Sequence, residues 1–158
     1  MNTVLISLGS NIDKDVNLPA AIARLRAQTG ITVQAVSAVL ETPAIGADRL
    51  PADQPSYYNA ALRAETTLGL VELRQVLRQI EAELGRRRGA DKYAPRTIDL
   101  DLVYYGDSLI VGGAGWLDDD VLHRAHVAIP LAEVAPTWVH PVAGVTLVEV
   151  AANLRVVA

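Results

Sequence analysis

The chain contains no cysteine, which excludes a disulfide framework and any metal site built from thiolates. It has no apolar run near the roughly 18 residues of a membrane span, and its amino terminus lacks the basic start and apolar core of a signal peptide. A net charge of -4 offers no general attraction for polyanions. We therefore expect a cytoplasmic protein that binds neither membranes nor nucleic acid.

What the chain does have is enough apolar surface for one core. It contains 158 residues, of which 51% are hydrophobic, and it shows no repeat, linker or low-complexity tract. A chain of this length lies within the usual size of one domain and can fold without disulfides or structural metals. We expect a single domain over residues 1–158, acting as a monomer on small-molecule substrates.

The hydrophobic pattern predicts the order strand, helix, strand, strand, helix, strand. Those elements are Thr3–Leu8, a helix around Leu18–Leu25, Ile31–Leu40, Tyr57–Thr67, Leu70–Leu84 and Ala94–Tyr105. Pro19 is expected in the first turn of its helix, and Gly85 is expected to end the second helix. This order is typical of an α+β, ferredoxin-like fold, an antiparallel sheet with helices packed on one face. The residues from Leu117 onward are expected to add short helices at the carboxyl end.

Two acidic residues interrupt the last predicted strand. Asp99 and Asp101 alternate with the apolar residues Ile98, Leu100 and Leu102. Because side chains alternate faces along a strand, both carboxylates point away from the core, with Cα atoms roughly 6.5 to 7 Å apart. The strand alone leaves two interpretations open: a solvated outer face, where acids are common, and a functional pair.

A basic segment directly before the acids favours the functional pair. It contains five cationic residues inside a chain that is acidic overall: Arg86, Arg87, Arg88, Lys92 and Arg96. Arginine matches phosphate oxygens, and paired carboxylates can hold Mg²⁺ together with substrate phosphates. The sequence therefore indicates a nucleoside triphosphate with Mg²⁺. The segment "LGSN" is neither a Walker A loop nor a G-x-G-x-x-G turn, so the phosphates would depend on arginines and metal.

The segment "APRTIDLDLVYYG" at 94–106 resembles the signature of the 6-hydroxymethyl-7,8-dihydropterin pyrophosphokinases. Five further segments occur in that family's order and approximate spacing, so that the resemblance covers nearly the whole chain. They are "SLGSN" at 7–11, "ETPAIG" at 41–46, "DQPSYYNAAL" at 53–62, "IEAELGR" at 80–86 and "PLAEVAP" at 130–136. The resemblance implies transfer of a pyrophosphoryl group from ATP to the hydroxymethyl group of the pterin, in folate biosynthesis.

The resemblance also implies roles for individual residues. Asp99 and Asp101 would hold two Mg²⁺ ions and, with Arg86 and Arg96, form the catalytic set. The residues implied in ATP binding are Arg86, Arg88, Arg96, Ile98 and Arg124. The residues implied in pterin binding are Thr42, Pro43, Ile45, Tyr57, Asn59 and His126. In this assignment Asn59 hydrogen-bonds the ring edge and Tyr57 stacks on the ring.

The chain departs from the family pattern before "PL". Family members usually carry a Pro-His pair and a later aromatic there, whereas Asp118 and His126 fall at about those positions. The acids Asp118, Asp119 and Asp120 are explained by a helix start. A transition-metal site of Asp120, His123 and His126 is a minor alternative.

Two other classes of function stay open at this point. One is a divergent paralogue that binds pterin or nucleotide without this turnover. The other is a different Mg²⁺-nucleotide transferase, because such enzymes also place paired carboxylates on ferredoxin-like sheets.

Overall fold

The structure is a computed structural model that describes residues 1–44, 50, 53–86, 95–106, 108–109, 118–141 and 143–157. The strands are β1 (Asn2–Ser10), β2 (Ile31–Val36), β3 (Leu40–Thr42), β4 (Tyr57–Thr66), β5 (Asp99–Tyr105) and β6 (Ser108–Leu109). The helices are α1 (Lys14–Ala27), α2 (Leu70–Glu83), α3 (Asp118–His123), α4 (Ala125–Val134) and α5 (Leu147–Val157).

The strands of the described residues form one antiparallel sheet with the order β2-β4-β1-β5-β6, and β3 pairs with β4. Strands β1, β2, β4 and β5 with helices α1 and α2 reproduce the predicted arrangement. The predicted α+β, ferredoxin-like fold is therefore confirmed. Strand β1 lies in the middle of the sheet, between β4 and β5, and the polar residues described below meet along it.

The sheet is covered on both faces, not on one as the sequence predicted. On one face, alternate residues of β1, β4 and β5 pack against α1 and α2 in a core that contains Ile6, Leu62 and Leu100. On the opposite face, Leu5 and Ala61 pack against residues of the carboxyl-terminal helices. The carboxyl-terminal helices thus bury the second face of the sheet. The hydrophobic pattern of the residues from Leu117 onward did not predict this packing.

A β-bulge in β5 limits how far the predicted alternation holds. Ile6 pairs with Leu102 but the preceding Leu5 pairs with Tyr104, so that Val103 is the extra residue. A bulge of this kind shifts the facing of every later residue. Before the bulge, Leu100 and Leu102 are buried and Asp99 and Asp101 are half-buried on the other face, as predicted.

Three predicted boundaries are wrong. Helix α1 begins at Lys14, so Pro19 lies beyond the first turn, at an exposed position, where it removes one hydrogen bond of the helix. The predicted strand Ile31–Leu40 divides into β2 and β3 because the backbone N–H of Ala38 donates to Glu133 instead of to a strand. Strand β5 begins at Asp99, later than predicted.

Candidate functional site

The acid pair lies on the same face of the sheet as the predicted pterin residue Asn59. Gly9 of β1 pairs with Asn59 of β4 on one side and with Asp99 of β5 on the other. Two residues along, Ser7 pairs with Asp101. Because paired residues of neighbouring strands point to the same face, these side chains surround Gly9. We call this surface the site face; it comprises Ser7, Gly9, Tyr57, Asn59, Asp99 and Asp101.

Gly9 leaves open the centre of the site face. A Cβ atom placed on Gly9 would come no closer than 3.9 Å to Oδ1 of Asn59 and to Cδ1 of Tyr57. Both side chains therefore border the space above a residue that has no side chain of its own. The sequence analysis gave Gly9 no role, although a glycine inside a strand often marks the close approach of a ligand.

Two arginines converge on Asp99. Nη1 of Arg96 lies 2.5 Å from Oδ2 of Asp99, and Nη2 of Arg86 lies 3.8 Å from Oδ1. The side chains of Arg86 and Asp99 are only 10% and 13% exposed, so that this pair is largely shielded from water, whereas Arg96 is 30% exposed. The two arginines neutralise the carboxylate of Asp99, whose burial without a partner would destabilise the folded protein.

The position of Arg86 follows from the end of α2. Gly85 has a φ of 97°, a left-handed conformation that glycine adopts without strain, and the N–H of Arg86 donates to the carbonyl of Glu81. The chain therefore turns back at the end of the helix, and Arg86 reaches the first residue of β5. Gly85 ends the helix, as predicted.

The electrostatics of Arg96 keep it charged. Burial disfavours its cation, but Asp99, Tyr57 and Asp101 outweigh burial, so the pKa of Arg96 lies above its usual value. Burial also raises the pKa of the Tyr57 phenol, with Asp99 adding to burial and the arginines opposing it. Arg96 is therefore a permanent cation beside a neutral Tyr57 at physiological pH.

The side-chain nitrogen of Asn59 already donates two hydrogen bonds within the protein. Its Nδ2 donates to the carbonyl of Leu40 at 3.0 Å and to Oγ1 of Thr42 at 2.8 Å. Within the described part of the chain, no donor faces its Oδ1. Asn59 is thus fixed by β3, and only its Oδ1 is available to accept a hydrogen bond from a ligand. The sequence suggested that it would both donate and accept.

The other predicted site residues are placed as follows. Ile45 and Arg88 lie outside the described residues, as do the side chains of Asp118, Asp119 and Asp120. Ile98 is fully buried in the core with α1 and α2, so nothing in this structure supports its contact with ATP. Pro43 is exposed. Arg124 and His126 lie at the start of α4, on the side of the sheet that carries the site face.

The described residues show neither a cluster of metal ligands nor a helix that could span a membrane. They contain no group of three or more histidine, cysteine or acidic residues that could hold a metal ion. The transition-metal site considered as a minor alternative includes the side chain of Asp120, which lies outside the described residues. No helix among the described residues is long and apolar enough to cross a membrane.

Glu81 of α2 is a buried carboxylate that the sequence analysis missed. It is 1% exposed, and its Oε2 accepts a 2.7 Å hydrogen bond from the N–H of Leu100, the residue between the two acids. Burial raises the pKa of Glu81 to about 7, against the hydrogen bond from Leu100, and the nearby Asp99 raises it further. Arg78 and Arg86 also oppose that rise.

We expect Glu81 to make folding stability depend on pH. Because its pKa is raised from 4.5 to about 7 in the folded protein, the stability present below pH 4.5 is lost as the pH rises through about 7. The loss is about 3 kcal/mol. Glu81→Gln should remove this dependence, which denaturant unfolding of both proteins at several pH values would measure. Glu83→Gln is the comparison: Arg24 and Gln79 lower the pKa of the exposed Glu83, so its effect on stability lies below pH 4.5 and the loss between pH 4.5 and about 7 should persist in this variant. Unfolding curves of wild type and Glu81→Gln that shift in parallel with pH would contradict the expectation.

The comparisons with known proteins point in one direction. Residues 5–136 match the family described as 7,8-dihydro-6-hydroxymethylpterin-pyrophosphokinase (HPPK). A protein of Synechocystis named 2-amino-4-hydroxy-6-hydroxymethyldihydropteridine pyrophosphokinase is 37% identical over 147 residues, which cover 92% of this chain and 72% of that protein. A protein of the same name from Methylorubrum extorquens is 38% identical over 156 residues, covering 98% and 94% of the two chains.

Longer proteins match over one part of their length. The chain is 35% identical to the folate synthesis bifunctional protein of Arabidopsis thaliana over 135 residues, but these span only 27% of that protein. Among solved structures, Plasmodium falciparum HPPK-DHPS with pteroate superposes with a TM-score of 0.67 at 12% identity. That match covers 96% of this chain and 42% of the other, and it bears on the fold alone.

Proposed function

The chain belongs to the 7,8-dihydro-6-hydroxymethylpterin-pyrophosphokinase family, and we propose that it transfers a pyrophosphoryl group from ATP to the hydroxymethyl group of 6-hydroxymethyl-7,8-dihydropterin. AMP is the other product, and the step belongs to folate biosynthesis. The observation that carries this proposal is the site face, where the acid pair with its arginines and the asparagine of the predicted pterin site flank one glycine.

The acid pair fits two Mg²⁺ ions bound together with substrate phosphates. Asp99 and Asp101 are half-buried on one face of β5, two residues apart, and supply hard oxygen ligands. Two carboxylates are enough where triphosphate oxygens and water complete the coordination. The bound metal would neutralise phosphate charge and lower the cost of deprotonating the attacking hydroxyl.

The arginines would hold the triphosphate. Arg96 and Arg86 both pair with Asp99. If Asp99 bound Mg²⁺, the two guanidinium groups would be available to bind phosphate oxygens. Arg88 and Arg124 are proposed as further phosphate contacts on the strength of the family pattern alone.

The pterin would lie beside the triphosphate, over Gly9. Oδ1 of Asn59 would accept a hydrogen bond from a ring N–H, and Tyr57 would stack on the ring. Tyr57 lies within electrostatic reach of Arg96 and Asp99, so a ring stacked on Tyr57 would lie near the groups proposed to bind the phosphates and the metal. Thr42, Pro43, Ile45 and His126 complete the proposed pterin site.

The proposed reaction is an in-line displacement. The hydroxymethyl oxygen of the pterin forms a bond to the β-phosphorus of ATP, and the bond from that phosphorus to the oxygen of the α-phosphate breaks. Arg86 and Arg96 would stabilise the charge that spreads over the transferring group. Positioning of the two substrates supplies much of the remaining rate acceleration.

An assay of the products of the wild-type protein tests this proposal. With ATP, Mg²⁺ and 6-hydroxymethyl-7,8-dihydropterin we expect AMP and the pyrophosphorylated pterin in equal amounts, followed by ³¹P NMR. No AMP should form when the pterin or Mg²⁺ is omitted. Release of pyrophosphate in place of AMP would indicate a nucleotidyl transferase instead, and binding of both ligands without AMP would indicate a non-catalytic paralogue.

The expected location and assembly remain part of the proposal. We propose that the protein acts in the cytoplasm, as a monomer, and binds no nucleic acid. The site face is built from three strands of one chain, which is consistent with a monomer that is active by itself.

A further inference from the structure

Asn11 lies just beyond the end of β1 and connects two segments of the site. It is 1% exposed. Its backbone N–H donates to the carbonyl of Arg96 at 3.0 Å, and its Oδ1 accepts from the N–H of Arg96 at 2.7 Å. Its Nδ2 lies 3.2 Å from both Oε1 of Gln54 and the carbonyl oxygen of Pro55, and donates to both. Every polar atom of this side chain is therefore engaged.

One half of these contacts fixes the arginine that faces the acid pair. One backbone hydrogen bond and one side-chain hydrogen bond join Asn11 to the backbone of Arg96, just before β5 begins. The side chain of Arg96 then reaches Asp99. Without Asn11, the partly buried N–H of Arg96 would lose its acceptor, a loss that typically costs more than one exposed hydrogen bond contributes.

The other half fixes the segment that leads into β4. Gln54 and Pro55 precede Tyr57 by three and two residues, and Tyr57 opens the strand that carries Asn59. Lys14 holds the same segment from outside, with its Nζ 2.9 Å from the carbonyl oxygen of Ser56 and 2.9 Å from Glu41. The segment before Tyr57 is thus attached to the start of α1 and to Asn11.

We propose that Asn11 is a positioning residue that couples the ATP side of the site to the pterin side, by holding the backbone of Arg96 with its oxygen and the Gln54–Pro55 segment with its nitrogen. This inference rests on the proposed function. Asparagine suits the position because a single small amide both accepts and donates. Asn11 touches neither substrate in this arrangement, so its effect passes through Arg96 and Tyr57.

The two functions of the side chain can be separated by substitution. Asn11→Asp keeps an oxygen that accepts from the N–H of Arg96, but its carboxylate cannot donate to Gln54 and repels the carbonyl oxygen of Pro55. We expect the KM for the pterin to rise at least tenfold and the KM for ATP to stay within about threefold. Asn11→Ala loses both contacts, so both KM values should rise and kcat should fall.

Asn17→Asp controls for the negative charge that Asn11→Asp adds and for any general loss of stability. Asn17 of α1 donates from its side chain to the carbonyl of Ile12 at an exposed site, and Asn17→Asp adds the same charge nearby without touching the Arg96 contact. It should leave both KM values unchanged. Hydrogen exchange should show faster exchange at residues 53–56 in Asn11→Asp while the N–H of Arg96 stays protected.

The outcomes distinguish the inference from its rivals. A rise in the KM for ATP with an unchanged KM for the pterin in Asn11→Asp would mean that charge alone acts, and would overturn the coupling. Unchanged KM values in both variants would overturn it as well. If Asn11→Ala fails to fold, Gln54→Ala removes one acceptor at a half-buried site and should raise only the KM for the pterin; an unchanged value would count against the proposal. A silent wild type would instead contradict the proposed function.

Discussion

Replacing Asp101 with alanine is expected to reduce AMP release on the order of 10³-fold, because the variant loses one of two carboxylates proposed to hold Mg²⁺ at the transferring phosphate. Asp101 lies on the site face beside Ser7, two residues from Asp99. Its loss should not unfold the protein, since it also removes repulsion between two acids on one face. Rapid-quench measurement of AMP, with the thermal unfolding midpoint in parallel, would test both parts.

Two variants make the Asp101 result specific. Asp101→Asn keeps the shape and removes the charge, and it should be nearly as inactive as alanine if metal binding is the cause. Glu65→Ala removes a carboxylate from the same face near the far end of β4, about 20 Å from Asn59 along the strand. It should retain wild-type activity. Full activity in Asp101→Asn at ordinary Mg²⁺ concentrations would refute the proposed role of the pair.

Replacing Arg96 with alanine is expected to lower kcat by about 10³-fold, the scale of an arginine that stabilises charge during phosphoryl transfer. Nη1 of Arg96 lies 2.5 Å from Oδ2 of Asp99, and the raised pKa of Arg96 keeps it charged at every pH where the enzyme would work. Its removal should weaken transition-state binding more than ATP binding, so kcat should fall further than the KM for ATP rises.

Lysine at position 96 and alanine at position 24 are the matched comparisons. Arg96→Lys keeps the charge but loses the planar fork, so it should recover only part of the activity. Arg24 of α1 forms an exposed ion pair with Glu83 of α2, and both helices pack on the face of the sheet opposite the site face. Arg24→Ala should therefore leave steady-state kinetics unchanged. Wild-type kcat in Arg96→Ala would contradict the assigned role.

Local patterns were sufficient for most of the fold. The apolar stripe from Leu70 to Leu84 predicted α2, and Gly85 ended it in the left-handed conformation that favours glycine. The alternation in β5 correctly placed Leu100 in the core and both acids on the opposite face. Such features depend on neighbours within a few positions of the chain, which a sequence states directly.

Features that depend on distant partners were missed or misplaced. Pro19 was expected in the first turn, but the helix starts earlier. No local pattern marks Glu81 as buried, and only the packing of α2 against β5 brings it to the N–H of Leu100. The covering of the second sheet face was missed for the same reason. The sequence from Leu117 onward predicts short helices but does not indicate the surface on which they pack.

The sequence by itself determined the chemistry of this protein: two carboxylates on one side of a strand, arginines before them, and motifs that identify the family. Only the tertiary structure decided how those residues meet. Strand register sets Gly9 between Asn59 and Asp99, and the end of β1 sets Asn11 between Arg96 and Pro55. The physical reason is that pairing between strands joins positions roughly 50 to 100 residues apart in the sequence, and register is fixed by the packed core as a whole rather than by any one segment.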